Sequence, residues 1–135
     1  MTLICGIPNA GKTTYSQHFD NVVHMDDVAS KGKASSRILE IISESTEDMV
    51  LEGVFISRHQ RKQLVNACKP EWKNTCIWLD TPLDECIRRE NRGRKPNLMQ
   101  NCHACMQPPT LDEGWDEIII IRGNDEQRYS RQTED

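Results

Sequence analysis

The chain has 135 residues, enough for one domain around one core. It carries 17 lysines and arginines against 21 aspartates and glutamates, a formal net charge of −4. A globally basic nucleic-acid binder is therefore excluded, and any attraction to phosphate must be local.

Thr2–Cys5 is a short apolar strand, and Gly6-Ile7-Pro8-Asn9-Ala10-Gly11-Lys12-Thr13 follows it directly. This is G-x-x-x-x-G-K-T, the P-loop. Its glycines allow backbone conformations that a side chain would block. Its N–H groups, joined by Thr14 at the start of the next helix, converge on nucleotide phosphates at that helix's positive end. Lys12 reaches the β- and γ-phosphates, and the Thr13 hydroxyl ligates Mg²⁺. A helix over Lys12–Phe19 completes the unit.

A second strand over Val22–Met25 leads into Asp26-Asp27. Asp26 is expected on the same sheet edge as the P-loop, where a carboxylate can orient and deprotonate an attacking hydroxyl. Asp27 either approaches the substrate too or caps the segment that follows. A helix over Ser35–Ser45 precedes a third strand, Met49–Leu51, which ends in Glu52. A carboxylate there holds Mg²⁺ through water or contacts substrate, the alternative being a plain loop charge. The next helix, Arg58–Cys68, opens on a basic cluster in which Arg58 and Arg61 are placed to contact substrate phosphate, or else form an ordinary surface face.

The fourth strand is Thr75–Leu79. After it, Thr81 is a candidate N-cap, Pro82 suits the first helical position, and Asp84 completes a capping-box-like pair, giving a helix over Pro82–Asn91. From Arg88 to Lys95, five of eight residues are basic. A hinged arginine here stabilises the charge that spreads over a transferring phosphoryl group, and another packs on the adenine. Residues 92–116 are expected to be irregular and, from about 88 to 108, to form a basic lid. Within them Cys102-His103-Ala104-Cys105 supplies at most three ligands, fewer than a structural zinc wants, and reads as lid with incidental cysteines. A final strand, Glu117–Ile121, precedes a polar stretch, Gly123–Asp135, expected to be a frayed tail.

Strands alternating with helices imply an α/β three-layer P-loop NTPase fold: about five parallel strands flanked by helices, one domain over residues 1–122. No apolar run approaches about 18 residues, so no membrane span is expected. The early P-loop occupies the place of a secretory h-region, so no signal peptide is expected. The six cysteines are expected to be free in a reducing cytoplasm, with Cys5 and Cys76 in the core.

The P-loop, Asp26-Asp27, the stretch Arg88 to Arg94 and the run Pro108-Pro109-Thr110-Leu111-Asp112-Glu113-Gly114-Trp115-Asp116-Glu117 together resemble the kinase domain of polynucleotide 5′-hydroxyl kinases. More broadly they are similar to small P-loop kinases often found in phage genomes. The resemblance covers nearly the whole chain up to Ile121. It implies an ATP- and Mg²⁺-dependent kinase with Asp26 as general base, Lys12 as P-loop lysine, Arg88 acting on the transferring phosphate and Arg92 covering the nucleotide base. It implies a nucleic-acid end as acceptor and a cytoplasmic setting, the host cytoplasm if the protein is phage-encoded. Ala29 stands where the phage-type enzymes carry a substrate-binding arginine, and Glu52 where the family tends to have Asp. The alternatives are a hydroxymethylated base in DNA or a nucleoside or small metabolite as acceptor, and, in another class, a nucleotide-binding module without turnover.

Overall fold

The computed structural model describes residues 1–131. Its elements in chain order are β1 (Thr2–Cys5), α1 (Lys12–Ser16), β2 (Val22–His24), α2 (Met25–Ala29), α3 (Ala34–Glu44), β3 (Val50–Gly53) and α4 (Arg58–Ala67). Then come β4 (Thr75–Leu79), α5 (Leu83–Arg88), α6 (Pro96–Cys105), a 3₁₀ turn at Leu111–Glu113, β5 (Glu117–Arg122) and β6 (Asp125–Ser130). One sheet runs β2-β3-β1-β4-β5-β6. Its first five strands are parallel and β6 pairs antiparallel with β5. The fold is thus the α/β class read from the sequence, with one strand more than expected.

The strands are short and apolar because helices cover the sheet on both faces. Successive side chains alternate between two cores. Leu3, Cys5, Leu51, Cys76 and Ile118 point to one, where Ile38 and Ile42 of α3, Leu64 of α4 and Trp115 pack. Ile4, Ile77, Leu79 and Ile119 point to the other, with Cys86 of α5 and Met99 of α6. Full burial of each such aliphatic side chain contributes roughly 1.5–3 kcal/mol. Cys5 and Cys76 lie in the core, and all six cysteines are free. Among the described residues no helix is long and apolar enough to cross a membrane.

Four sequence expectations need correction. Asp26 and Asp27 lie in the first turn of α2, where acidic side chains complement the helix dipole; the second strand stops at His24. Residues 92–116 are not irregular throughout: Pro96 starts α6, and buried Met99 anchors it. Thr81 does not cap α5, whose N-cap is Pro82. Finally, the expected tail turns back at Gly123-Asn124, with Gly123 at φ 61°, and Asp125–Ser130 adds to the sheet edge. A two-residue Gly-Asn loop is a hairpin signal, masked here by a polar strand of the kind that guards an exposed edge. Residues 132–135 of that tail lie outside the described residues.

Candidate active site at the P-loop

With β1 between β3 and β4, the P-loop leaves the sheet where the strand order reverses, the place α/β sheets reserve for ligands. Close packing demands glycine at residue 6: an added Cβ would sit 2.9 Å from the Leu79 carbonyl oxygen and 3.1 Å from Ala10 Cβ. Gly11 has φ 102° as the N-cap of α1, and Asn9 is held at φ 68°. The Thr81 hydroxyl donates to the Ala10 carbonyl at 2.7 Å, pinning the loop instead of capping α5.

A cleft of about 890 Å³ opens over this loop. Pro8 to Thr14 line it, with Asp26, Glu52, Arg88, Arg89, Arg92 and Arg94 around them. Lys12 is 7% exposed and its Nζ donates to the Ile7 carbonyl at 2.8 Å. Burial lowers the Lys12 pKa, while the carboxylates of Glu52 and Asp26 oppose that shift. Glu52 is buried at the end of β3, and its Oε2 lies 2.8 Å from His24 Nδ1 on the neighbouring strand. Among the described residues Glu52 Oε1 has no hydrogen-bond partner, and the Thr13 hydroxyl is exposed at the cleft. A hard oxygen-seeking cation such as Mg²⁺ fits that pair.

The basic stretch after α5 closes one side of the cleft. Arg88 and Arg89 both pair with Glu85, and Arg89 Nη1 also donates to the Asn9 carbonyl at 3.2 Å. Glu90 accepts from Arg94 Nε at 3.0 Å, from Asn9 Nδ2 at 2.8 Å and from the backbone N–H groups of Arg92 and Arg94, both at 2.9 Å. Arg94 first, then Asn9, hold its pKa down to about 2. Arg94 Nη2 also donates to Asn9 Oδ1 at 2.8 Å. The tip of the P-loop is therefore tied to the lid segment through Asn9, Glu90, Arg89 and Arg94. None of these ties was assigned from the sequence. The i, i+4 spacing of Glu90 and Arg94 was the available signal, but nothing local pointed to Asn9, 81 residues away from Glu90. His24 was missed as well, because only strand register places it beside Glu52.

Three predicted substrate contacts stand elsewhere. Arg61 is fully buried, with Nε 2.7 Å from Glu113 Oε1, Nη1 donating to the Phe55 carbonyl at 2.8 Å and Nη2 to the Gln107 carbonyl at 2.7 Å. It is a structural pin, not a surface cation. Glu113 is completed by the Trp115 indole at 3.0 Å and the Thr110 backbone N–H at 2.8 Å. Arg58 donates from Nε to the Pro108 carbonyl at 3.1 Å and lines no part of the cleft. Asp27 is exposed and likewise stands outside it. In α6, Cys102 is half-buried while His103 and Cys105 are exposed. Among the described residues no group of three or more His, Cys, Asp or Glu is placed to hold a metal ion.

No protein-family model and no curated protein matches the chain. Solved structures do. A gluconokinase from Sinorhizobium meliloti 1021 superposes with TM-score 0.69 at 12% identity, over 92% of this chain and 82% of that one. A sugar kinase from Janibacter sp. HTCC2649 gives TM-score 0.67 at 15% identity, over 90% and 83%. A structure from the PezAT chromosomal toxin–antitoxin system of Streptococcus pneumoniae gives 0.52 at 16% identity, over 91% and 68%. The chain has the fold of P-loop kinases.

Proposed function

We propose that this chain is a kinase that transfers the γ-phosphate of ATP to a hydroxyl group of a small metabolite. The observation that carries the proposal is the position of Asp26. Its side chain lines the P-loop cleft and also a second recess behind it, so one carboxylate faces both the phosphate donor and the space left for an acceptor. A base in that position takes the proton of an attacking hydroxyl, which mere nucleotide binding does not need. Lys12 and the loop N–H groups bear on the phosphate oxygens, and Arg88 and Arg92 reach the cleft from the lid segment. Thr13 and Glu52 are the residues that would hold Mg²⁺, which when bound neutralises charge on the phosphates. The likeness to a gluconokinase and a sugar kinase supports a small acceptor.

A polynucleotide 5′-hydroxyl is the second reading. Its remaining support is the arginine group at the cleft mouth, since Arg58 and Arg61 are bonded to backbone carbonyls and Glu113. The test is transfer of radiolabelled γ-phosphate to a panel of sugars, nucleosides and 5′-hydroxyl oligonucleotides. Asp26→Asn should cut transfer by roughly 10²–10⁴-fold and leave ATP affinity intact. A wild type that binds ATP and phosphorylates nothing would identify a binding module instead.

A further inference from the structure

The recess behind Asp26 measures about 380 Å³, near the lower end of ligand pockets, which run from roughly 300 to 1,000 Å³. Its walls are α2 and α3 on one side and the β3–α4 loop with α4 on the other. Met25, Ile38, Leu39, Phe55 and Leu64 make it mainly apolar. Its polar groups are Ser35, Gln60 and Gln63, all uncharged, and Asp26 at its mouth. No lysine, arginine or histidine lines it, whereas the cleft on the other side of Asp26 gathers Lys12, His18 and four arginines.

The recess is built in advance of any ligand. Phe55 sits at φ 37°, a conformation that an aromatic residue rarely adopts and that its surroundings must enforce. The enforcement is visible: the buried Arg61 donates to the Phe55 carbonyl, and the Gln107 backbone N–H donates to the Ile56 carbonyl at 2.9 Å. Gly53 lets two of its walls, Phe55 and Met25, pack close, because a Cβ there would lie 2.6 Å from Phe55 Cε2 and 2.9 Å from Met25 Cβ. The Pro108-to-Glu117 run that carried the resemblance thus has a traceable task here. Through Glu113 and Arg61 it fixes the strained wall of this recess.

The geometry points to this recess as the acceptor site, with specificity for an uncharged alcohol bearing an apolar or aromatic face, and against acceptors that carry phosphate or carboxylate there. This rests on the kinase reading above. An anion in the recess would lose its hydration, meet no cation and face the charge of Asp26. An uncharged ring would cover the Phe55 wall while Gln60 and Gln63 offer amide donors and acceptors.

Thymidine and thymidine 3′-phosphate make a matched test, since both present the same 5′-hydroxyl and differ in charge. They are assayed with labelled ATP beside other uncharged nucleosides, uncharged aromatic alcohols, gluconate and a 5′-hydroxyl oligonucleotide. Uncharged acceptors should exceed their charged counterparts in kcat/KM by roughly 100-fold, the scale on which a site rejects a group it cannot solvate. Leu39→Arg should reverse the preference within the thymidine pair without moving the KM for ATP, which also reports that the variant is folded. Transfer favouring gluconate, the oligonucleotide or the 3′-phosphate in wild type overturns this inference while the kinase reading stands. No transfer to any acceptor by a protein that binds ATP overturns the kinase reading, and this inference with it.

Discussion

Two basic stretches look alike in the sequence, and the fold sends Arg61 of one and the arginines of the other to opposite environments. The first lies at the start of α4, where Arg61 is buried against Glu113 and two carbonyls. The second runs from Arg88 to Arg94, where the arginines stay at the surface around the P-loop cleft and pair with Glu85 and Glu90. A buried guanidinium whose donors are met by carbonyls and a carboxylate fixes shape, whereas a half-exposed one remains available to a phosphate. Basic composition alone therefore says nothing about anion binding.

Arg61→Ala is the sharpest way to break the comparison. It leaves the Glu113 carboxylate buried without its cation and strips the Phe55 carbonyl of its donor. Loss of one partner of such a pair costs about 3–5 kcal/mol, which urea or thermal unfolding will read as a large fall in stability. If Arg61→Ala unfolds like wild type but weakens phosphate-bearing ligands, Arg61 belongs with the surface arginines after all.

Arg88→Ala should do the reverse. Arg88 is exposed and its partner Glu85 retains Arg89, so stability should stay within about 0.5 kcal/mol of wild type. Phosphoryl transfer should fall by roughly 100-fold in kcat, at the low end for a transition-state charge donor. A KM increase for ATP with unchanged kcat would instead make Arg88 a ground-state binding residue.

Much of this was legible in the sequence because it is local. The P-loop pattern is contiguous, strand–helix alternation gave the parallel sheet, and apolar runs located β1, β4 and β5 almost to the residue. Asp26 was placed at the correct sheet edge, though as the end of a strand and not the first turn of α2. What failed depended on distant partners. Arg61 shares a helical face with Leu64, Val65 and Cys68 by its i, i+3, i+4 and i+7 spacing, and that apolar company was the sign that it points inward. Its acceptors, however, lie six residues away on the preceding loop and 46 and 52 residues further along the chain. Likewise β6 is polar at every position but Tyr129 and has no apolar period to betray it; only its pairing with β5 makes it a strand.

The second cluster has its own carboxylate, and Glu90→Gln gives the smallest effect. Glu90 is held down to about 2 from an ordinary value of 4.5, first by Arg94 and then by Asn9. Because the folded state prefers the ionised form, this group stabilises the fold fully above the unfolded value of 4.5. That contribution fades as the pH falls from 4.5 through about 2, where the folded carboxylate takes up its proton. Wild type should therefore lose thermal stability over that interval more steeply than Glu90→Gln, which has no proton to gain there, and the two melting curves should converge at the acid end. The same titration weakens the hold of Glu90 on Arg94 and Asn9, leaving the direct Arg94–Asn9 bond and Arg89, so the lid segment should loosen from the P-loop before the sheet unfolds. Amide hydrogen exchange can see this as loss of protection around Asn9 and Arg94 at a pH where β1 and β4 remain protected. Parallel acid profiles for wild type and Glu90→Gln would mean that Glu90 is as ordinary as a solvated surface charge, and that the tie between P-loop and lid lies in Arg89 and in the direct Arg94–Asn9 bond.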